Sequence, residues 1–86
     1  MVEEKLEIRG ISRKELIIYL LQLGAIESDN HLYRANNWTC YISDEDRFHM
    51  FQSWIPRVEL VFSSTDLDSL KEVLKNFRKK TFRAGG

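Results

Sequence analysis

Two helix patterns enclose a long stretch of short strands, and this order restricts the fold of the 86-residue chain more than any other feature. A helix is predicted over Arg13–Leu23, because a capping box of Ser12 and Glu15 precedes apolar residues at helical spacing. Gly24 follows at the position where helices commonly end. A second helix is predicted after Ser63. The predicted core stripes are Leu16, Ile17, Leu20, Leu21 and Leu23 in the first helix, and Leu67, Leu70, Val73, Leu74 and Phe77 in the second.

The chain outside the helices shows period-two alternation, which is typical of strands with one buried face. Clusters of Asn and Asp separate these segments, since both residues favour turns. Pro56 is expected to open the last strand, which ends at Phe62. The other predicted strands are Lys5–Arg9, His31–Ala35, Trp38–Ser43 and Arg47–Phe51.

These elements predict an α+β fold, a two-layer sandwich of one antiparallel sheet and two helices. The order β-α-β-β-β-β-α is that of TATA-binding-protein-like folds. A ferredoxin-like arrangement is the alternative if one of the four strands between the helices does not form. We predict one domain over residues 1–80 and a flexible tail over residues 81–86. A domain this small buries a limited core, so a dimer interface would add needed stability.

The composition argues against several classes of function for this protein. Thirteen basic and thirteen acidic residues balance, which disfavours a nucleic-acid partner bound through phosphates. Cys40 is the only cysteine, and no apolar signal or membrane segment is apparent. We therefore expect a cytoplasmic protein that does not contact membranes.

No catalytic constellation is apparent in the sequence. Cys40 lies on the apolar face of its predicted strand, where a thiol behaves as a small inert hydrophobe. His31 and His49 lie on other strands and lack the local spacing of a metal site. We predict no catalytic residue, no metal ligand and no cofactor, and we keep an enzyme acting through these three residues as a competing hypothesis.

Aromatic residues are concentrated in the predicted hairpins, and two small helices cannot cover both faces of the sheet. An exposed aromatic surface would bind a protein partner, a second copy of the chain or an apolar small ligand. The alternative is a second, minor core beneath a curved end of the sheet. The candidate binding residues are Trp38, Tyr41, Phe48, Phe51 and Trp54.

The dipeptide Gly85-Gly86 resembles the end of the ubiquitin-like sulfur carriers, among them the small subunit of molybdopterin synthase and the thiamine-pathway carrier. In those carriers an adenylating enzyme activates the terminal glycine carboxylate, which then accepts sulfur. The resemblance implies a carrier terminus at Gly85 and Gly86. The carriers are β-grasp folds that begin with a hairpin, whereas this chain begins strand-helix, so an ordinary frayed tail is the alternative.

The strand carrying Trp38, the segment Ile55-Pro56-Arg57-Val58 and the β-α-β4-α order resemble the C-terminal domain of bacterial proteins related to the molybdopterin synthase small subunit (MoaD). That domain has no established activity, so the resemblance implies no catalytic residue. It implies a small non-enzymatic accessory or carrier-like protein linked to molybdenum-cofactor or sulfur-transfer chemistry. The alternative is a protein-binding, ligand-binding or assembly module that uses an aromatic sheet surface.

Overall fold

The computed structural model describes residues 1–82 and confirms the α+β class. A six-stranded antiparallel sheet packs one face against both helices, and a single hydrophobic core lies between the layers. No helix within the described range is long and apolar enough to cross a membrane. The elements are β1 (Val2–Arg9), α1 (Arg13–Gln22), β2 (Ile26–Asp29), β3 (Leu32–Arg34), β4 (Thr39–Ile42), β5 (Asp46–Met50), β6 (Ser53–Ser64) and α2 (Leu67–Thr81).

The long strand β6 organises the sheet. It pairs along one side with β1, and along the other side with β4 and then with β5. Strands β4 and β5 are separated by a short break, at which the Ser43 amide donates to the Glu59 carbonyl oxygen at 2.9 Å. From β4 the sheet continues to β3 and β2, which gives the order β1-β6-β4-β3-β2.

The end of the β5–β6 hairpin extends beyond the rest of the sheet. Strand β1 ends at Arg9, opposite Arg57, whereas β5 and β6 continue to a turn at Phe51 and Gln52. We call residues 47–55 the hairpin arm. Within residues 1–82 no strand other than β5 and β6 pairs within the arm.

Most strand ends differ from the predicted ones by one to three residues, and two differences bear on the fold. Strand β2 was not predicted, because all four of its residues are exposed and its one large apolar side chain, Ile26, is 71% exposed. The prediction that Pro56 opens the last strand is wrong, since β6 begins at Ser53. Pro56 is tolerated within β6 because its backbone faces the β1 side, where its carbonyl accepts from the Gly10 amide just beyond the end of β1.

Both predicted helices are confirmed. The Ser12 side chain accepts from the Glu15 amide at 3.2 Å and caps α1, and Asp66 caps α2 by accepting from the Asp68 amide. Helix α2 ends at Thr81, one residue beyond the predicted end of the domain, and residues 83–86 of the predicted tail lie outside the described residues. Fourteen apolar side chains form the core, which includes Leu16, Leu20, Tyr33, Cys40, Ile42, Val58, Leu60, Phe62, Leu70, Val73 and Phe77.

One residue of the predicted α1 stripe lies on the wrong side of the helix. Leu16 and Leu20 are fully buried, whereas Leu21 is 47% exposed. Residues 16–21 are apolar all round the helix, so the sequence pattern did not select a single face.

Replacement of Leu20 tests this assignment of faces. We expect Leu20→Ala to reduce the free energy of unfolding by about 2–5 kcal/mol, because it removes a fully buried side chain. Leu21→Ala removes the same atoms from a half-exposed position and should cost about 0.5 kcal/mol or less. Urea unfolding followed by circular dichroism measures both, and equal costs for the two variants would contradict the observed orientation of α1.

Candidate functional site

The structure places the candidate aromatic residues in three different environments, and the first of these is the core. Trp38 is only 9% exposed, and its ring centroid lies 5.7 Å from that of Phe62. Phe62 in turn contacts Phe77 of α2 edge-on at 5.1 Å. Trp38 therefore joins the sheet to the helices and does not belong to an exposed aromatic surface.

Tyr41 and Phe48 lie on the face of the sheet that no helix covers. Tyr41 is 47% exposed and stacks against the His31 ring at 6.0 Å. The Phe48 ring is half-buried and lies beneath the Arg9 guanidinium, 4.8 Å from ring centroid to guanidinium carbon. A charged group therefore covers Phe48, and Tyr41 is the more accessible of the two rings.

Phe51 and Trp54 are the exposed aromatic residues of the hairpin arm. Phe51 is 90% exposed and Trp54 is 66% exposed, with the Trp54 ring 5.1 Å from that of His49. Phe51 lies in the turn and Trp54 lies in the strand that follows it, on the part of the molecule that extends furthest beyond β1. Phe51 and Trp54 are thus the most exposed residues of the predicted aromatic set.

The turn that joins the arm strands has an unusual backbone. Met50 pairs with Ser53, so the loop has two residues, and both have positive φ, 52° at Phe51 and 64° at Gln52. These are the φ signs of a type I′ hairpin turn, which strongly prefers Asn-Gly or Gly-Gly. A bulky residue pays about 1–2 kcal/mol to adopt this conformation. Burial of the Phe51 side chain offsets little of this free-energy cost, because the side chain is exposed to solvent.

A polar network fixes the base of the arm. The Arg57 guanidinium forms an ion pair with Asp46, and its Nε lies 3.7 Å from the Glu7 carboxylate. The Arg47 amide, and then Arg57, hold the pKa of the Asp46 carboxyl below its usual value. Within residues 1–82 the Arg47 guanidinium forms no ion pair, so the arm presents an uncompensated positive charge beside its aromatic side chains.

The residues of the competing enzyme hypothesis lie apart from one another. Cys40 is fully buried, and burial raises the pKa of its thiol far above the usual value. The His31 Nε2 is 2.8 Å from the Asp44 carboxylate, whereas His49 lies on the arm. The part of the chain that the structure describes contains no group of three side chains able to hold a metal ion.

Sequence reasoning found the arm's aromatic residues but missed the strain in its turn. The turn sequence Met50-Phe51-Gln52-Ser53 contains no Gly, Asn or Asp, so nothing in it signalled a two-residue turn. The other candidate site, Gly85 and Gly86, lies outside the described residues.

The burial of Cys40 makes a testable prediction about its reactivity. We expect iodoacetamide to leave Cys40 unmodified at neutral pH in the native protein and to alkylate it fully in urea, because the reactive thiolate is disfavoured by burial. Intact mass spectrometry after timed exposure gives the extent of alkylation. Rapid native alkylation, at the rate of a small free thiol, would restore the enzyme hypothesis.

Comparison with protein families agrees with the resemblance found in the body of the sequence. Residues 4–86, almost the whole chain, match the model of a family described as archaeal MoaD-like protein. Comparison with curated proteins gives no match. The chain belongs to the archaeal MoaD-like protein family.

Proposed function

We propose that this protein is a non-enzymatic accessory protein of molybdenum-cofactor or sulfur-transfer chemistry, which acts by binding a partner protein through its hairpin arm. Membership of the MoaD-like family supports the link to this chemistry. The observation that carries the binding role is the strained turn with its exposed Phe51.

Stability does not account for this turn. A residue with positive φ lowers the stability of the hairpin unless it is Gly, Asn or Asp. An exposed Phe side chain adds no burial that offsets this loss. Strained backbone persists at binding sites, where the conformation presents a side chain that the partner needs. Phe51 fits that description, because the turn holds its ring at the end of the arm and away from the core.

The arm also indicates the chemistry of its partner. Phe51 and Trp54 supply two large rings, and aromatic residues dominate the energetics of protein interfaces. Arg47 and His49 flank Trp54 on the same face of the arm, since Arg47 pairs with Pro56 and His49 pairs with Trp54. The fitting partner surface is an apolar pocket with carboxylates at its rim. The adenylating enzyme that acts on sulfur carriers is the first partner to test.

A double substitution separates the binding role of the turn from its structural role. Phe51→Asn combined with Gln52→Gly installs the preferred type I′ sequence. We expect the melting temperature to stay unchanged or rise, while the Kd for the adenylating enzyme of the same organism rises about 30-fold, because loss of an aromatic anchor costs about 2 kcal/mol. Calorimetric titration measures the affinity, and thermal denaturation measures the stability.

Two control variants accompany this experiment. Gln52→Gly alone relieves part of the strain but keeps the Phe51 ring, so its affinity should match that of the natural sequence. Ile26→Ser removes another exposed apolar side chain, from β2 and away from the arm, and should also leave the Kd unchanged. Undiminished binding by the double variant would contradict the role of the arm, and no binding by the natural sequence would contradict this choice of partner.

A second candidate function is that of a sulfur carrier, and the Gly85-Gly86 sequence favours it. This role requires Gly86 to bear a free carboxylate, which the enzyme would adenylate with ATP, releasing pyrophosphate. A sulfide-level sulfur donor would then attack the acyl adenylate and displace AMP, which leaves a thiocarboxylate. The two functions are compatible, because a carrier must also bind the enzyme that loads it.

The carrier function predicts a modified C-terminal peptide. We expect a fraction of the untagged protein, purified from its own host, to have one oxygen of the Gly86 carboxylate replaced by sulfur. Mass spectrometry of the intact protein and of its C-terminal peptide detects this exchange. A Gly86→Ala variant expressed in the same host serves as the control and should lack the modification. A purely unmodified terminus, under conditions that load a known carrier in that host, would contradict the carrier function.

A further inference from the structure

Strand β1 forms an edge of the sheet, and its outward backbone groups belong to its odd-numbered residues. The Gly10 amide donates to the Pro56 carbonyl at 2.9 Å, and the β1–β6 register continues this pairing to Ile8 with Val58 and Leu6 with Leu60. Hydrogen-bonded pairs alternate along an antiparallel ladder, so the even-numbered residues of β1 bond to β6. The N–H and C=O groups of residues 3, 5, 7 and 9 therefore face away from the sheet.

Strand edges are protected from pairing between molecules when they are short, bulged, interrupted by Pro or lined with charged side chains, Lys above all. The edge at β1 has the charged side chains and lacks the other three features. Strand β1 has eight residues, contains no Pro and pairs with β6 in an unbroken register. Within the described part of the chain, no other strand pairs with its outer side.

The charges on the open face of β1 form a self-complementary pattern, and the fifth charge of the strand, Glu4, lies on the helix-side face. Glu3, Lys5, Glu7 and Arg9 project from the open face of the sheet with alternating sign. When two copies of β1 run antiparallel about a two-fold axis at Leu6, Glu3 lies opposite Arg9 of the second copy. In the same register Lys5 lies opposite Glu7 of the second copy. All four positions on each strand then face the opposite charge, and opposite charges across strands are stabilising.

Neighbouring registers lose this complementarity. A shift by two residues in one direction places Lys5 opposite its own copy, and a shift in the other direction places Glu7 opposite its own copy. A shift by one residue would set the outward backbone groups of one β1 strand opposite the inward groups of the other, and no hydrogen-bonded ladder would form. The charge pattern and the hydrogen-bonding pattern therefore select the same register.

The helix-side face adds apolar surface at the same edge. A groove of about 550 Å³ lies between β1 and α2, and its apolar lining includes Val2, Leu70 and Leu74. Leu67 lies at this groove and is 50% exposed. A two-fold axis perpendicular to the sheet brings the grooves of two copies onto the same face, on either side of the Leu6 pair. The charged residues Glu3, Glu4, Lys71, Lys75 and Arg78 also line each groove, so only part of its wall is apolar.

We infer that β1 is a dimerisation edge, at which a second copy of this chain pairs antiparallel about Leu6 and extends the sheet across both molecules. The interface uses none of the arm residues, because β1 and β5 lie on opposite sides of β6. It therefore stands independently of the partner proposed above. For so small a domain it also adds buried surface that one copy lacks.

Charge reversal tests the interface and its register together. We expect sedimentation equilibrium of the full chain to give twice the mass of one copy. Lys5→Glu and Glu7→Lys each place like charges opposite one another at two positions, so each variant alone should show at least a tenfold weaker association. An equimolar mixture of the two variants should regain the dimer, because residue 5 of one copy then again faces an opposite charge at residue 7 of the other.

Matched variants control for net charge and for folding. Lys14→Glu and Glu72→Lys make the same charge changes at exposed helix positions outside the β1 edge, and both should remain dimeric. The two reversals remove the intramolecular ion pairs of Lys5 with Glu59 and of Glu7 with Arg9 and Arg57. All of these side chains are at least one-third exposed, so the loss of the pairs should leave the circular dichroism spectrum unchanged. A monomer at all concentrations, dimers insensitive to either reversal, or a mixture that stays monomeric would each overturn the inference.

Discussion

The rest of the structure depends on the alternation of side chains along β6. Its even-numbered residues Val58, Leu60 and Phe62 are fully buried beneath the helices. Its odd-numbered backbone groups pair with β4, and its even-numbered ones pair with β1. One strand thus sets which face is covered, which partner lies on each side and which side chains fill the core. A one-residue shift in its register would reverse all of these assignments.

Both proposed binding surfaces follow from the geometry of β6. The strand is twelve residues long and β1 is eight, so the hairpin continues past the end of β1 and forms the arm. Strands β4 and β5 occupy the other side of β6, and within residues 1–82 no strand pairs with the outer side of β1, which makes β1 an edge. The arm is stabilised by its own strands, by the Arg9 guanidinium over Phe48 and by the ion pair at Arg57, whereas β1 pairs with β6 along its whole length and packs against α2. The arm is therefore the part better suited to adjust on binding, and β1 is the more rigid template.

The local signals in the sequence predicted the helices, the fold class and the family, whereas the features set by long-range pairing were not predicted. The Ser12 capping box and the apolar stripes identified both helices because these signals lie within a few residues. The packing of α1 against the sheet decides that Leu20 is buried and Leu21 is exposed. The sequence of α1 does not specify this packing, because its apolar residues surround the helix. The two-residue turn at Phe51 follows from the register between β5 and β6. It was not predicted, because Phe51 and Gln52 disfavour the positive φ angles of that turn. Phe51 and Trp54 of the candidate aromatic set are exposed on the arm, whereas Trp38 packs in the core. The binding role of the exposed residues stays a prediction.

The two proposals together specify how an assembly would present its binding sites. In the proposed dimer, Arg9 of one copy lies beside Glu3 of the other, so each arm begins at the opposite end of the paired β1 strands. A strand of eight residues spans about 25 Å, and the arms point away from each other along that length. Two partner proteins could then bind without competing for space, and neither would cover the shared β1 edge. Dimer formation would not by itself strengthen binding to a single partner molecule, because one partner would reach only one arm. A gain in affinity would arise only for a partner that is itself two-fold symmetric and whose two pockets match the separation of the arms.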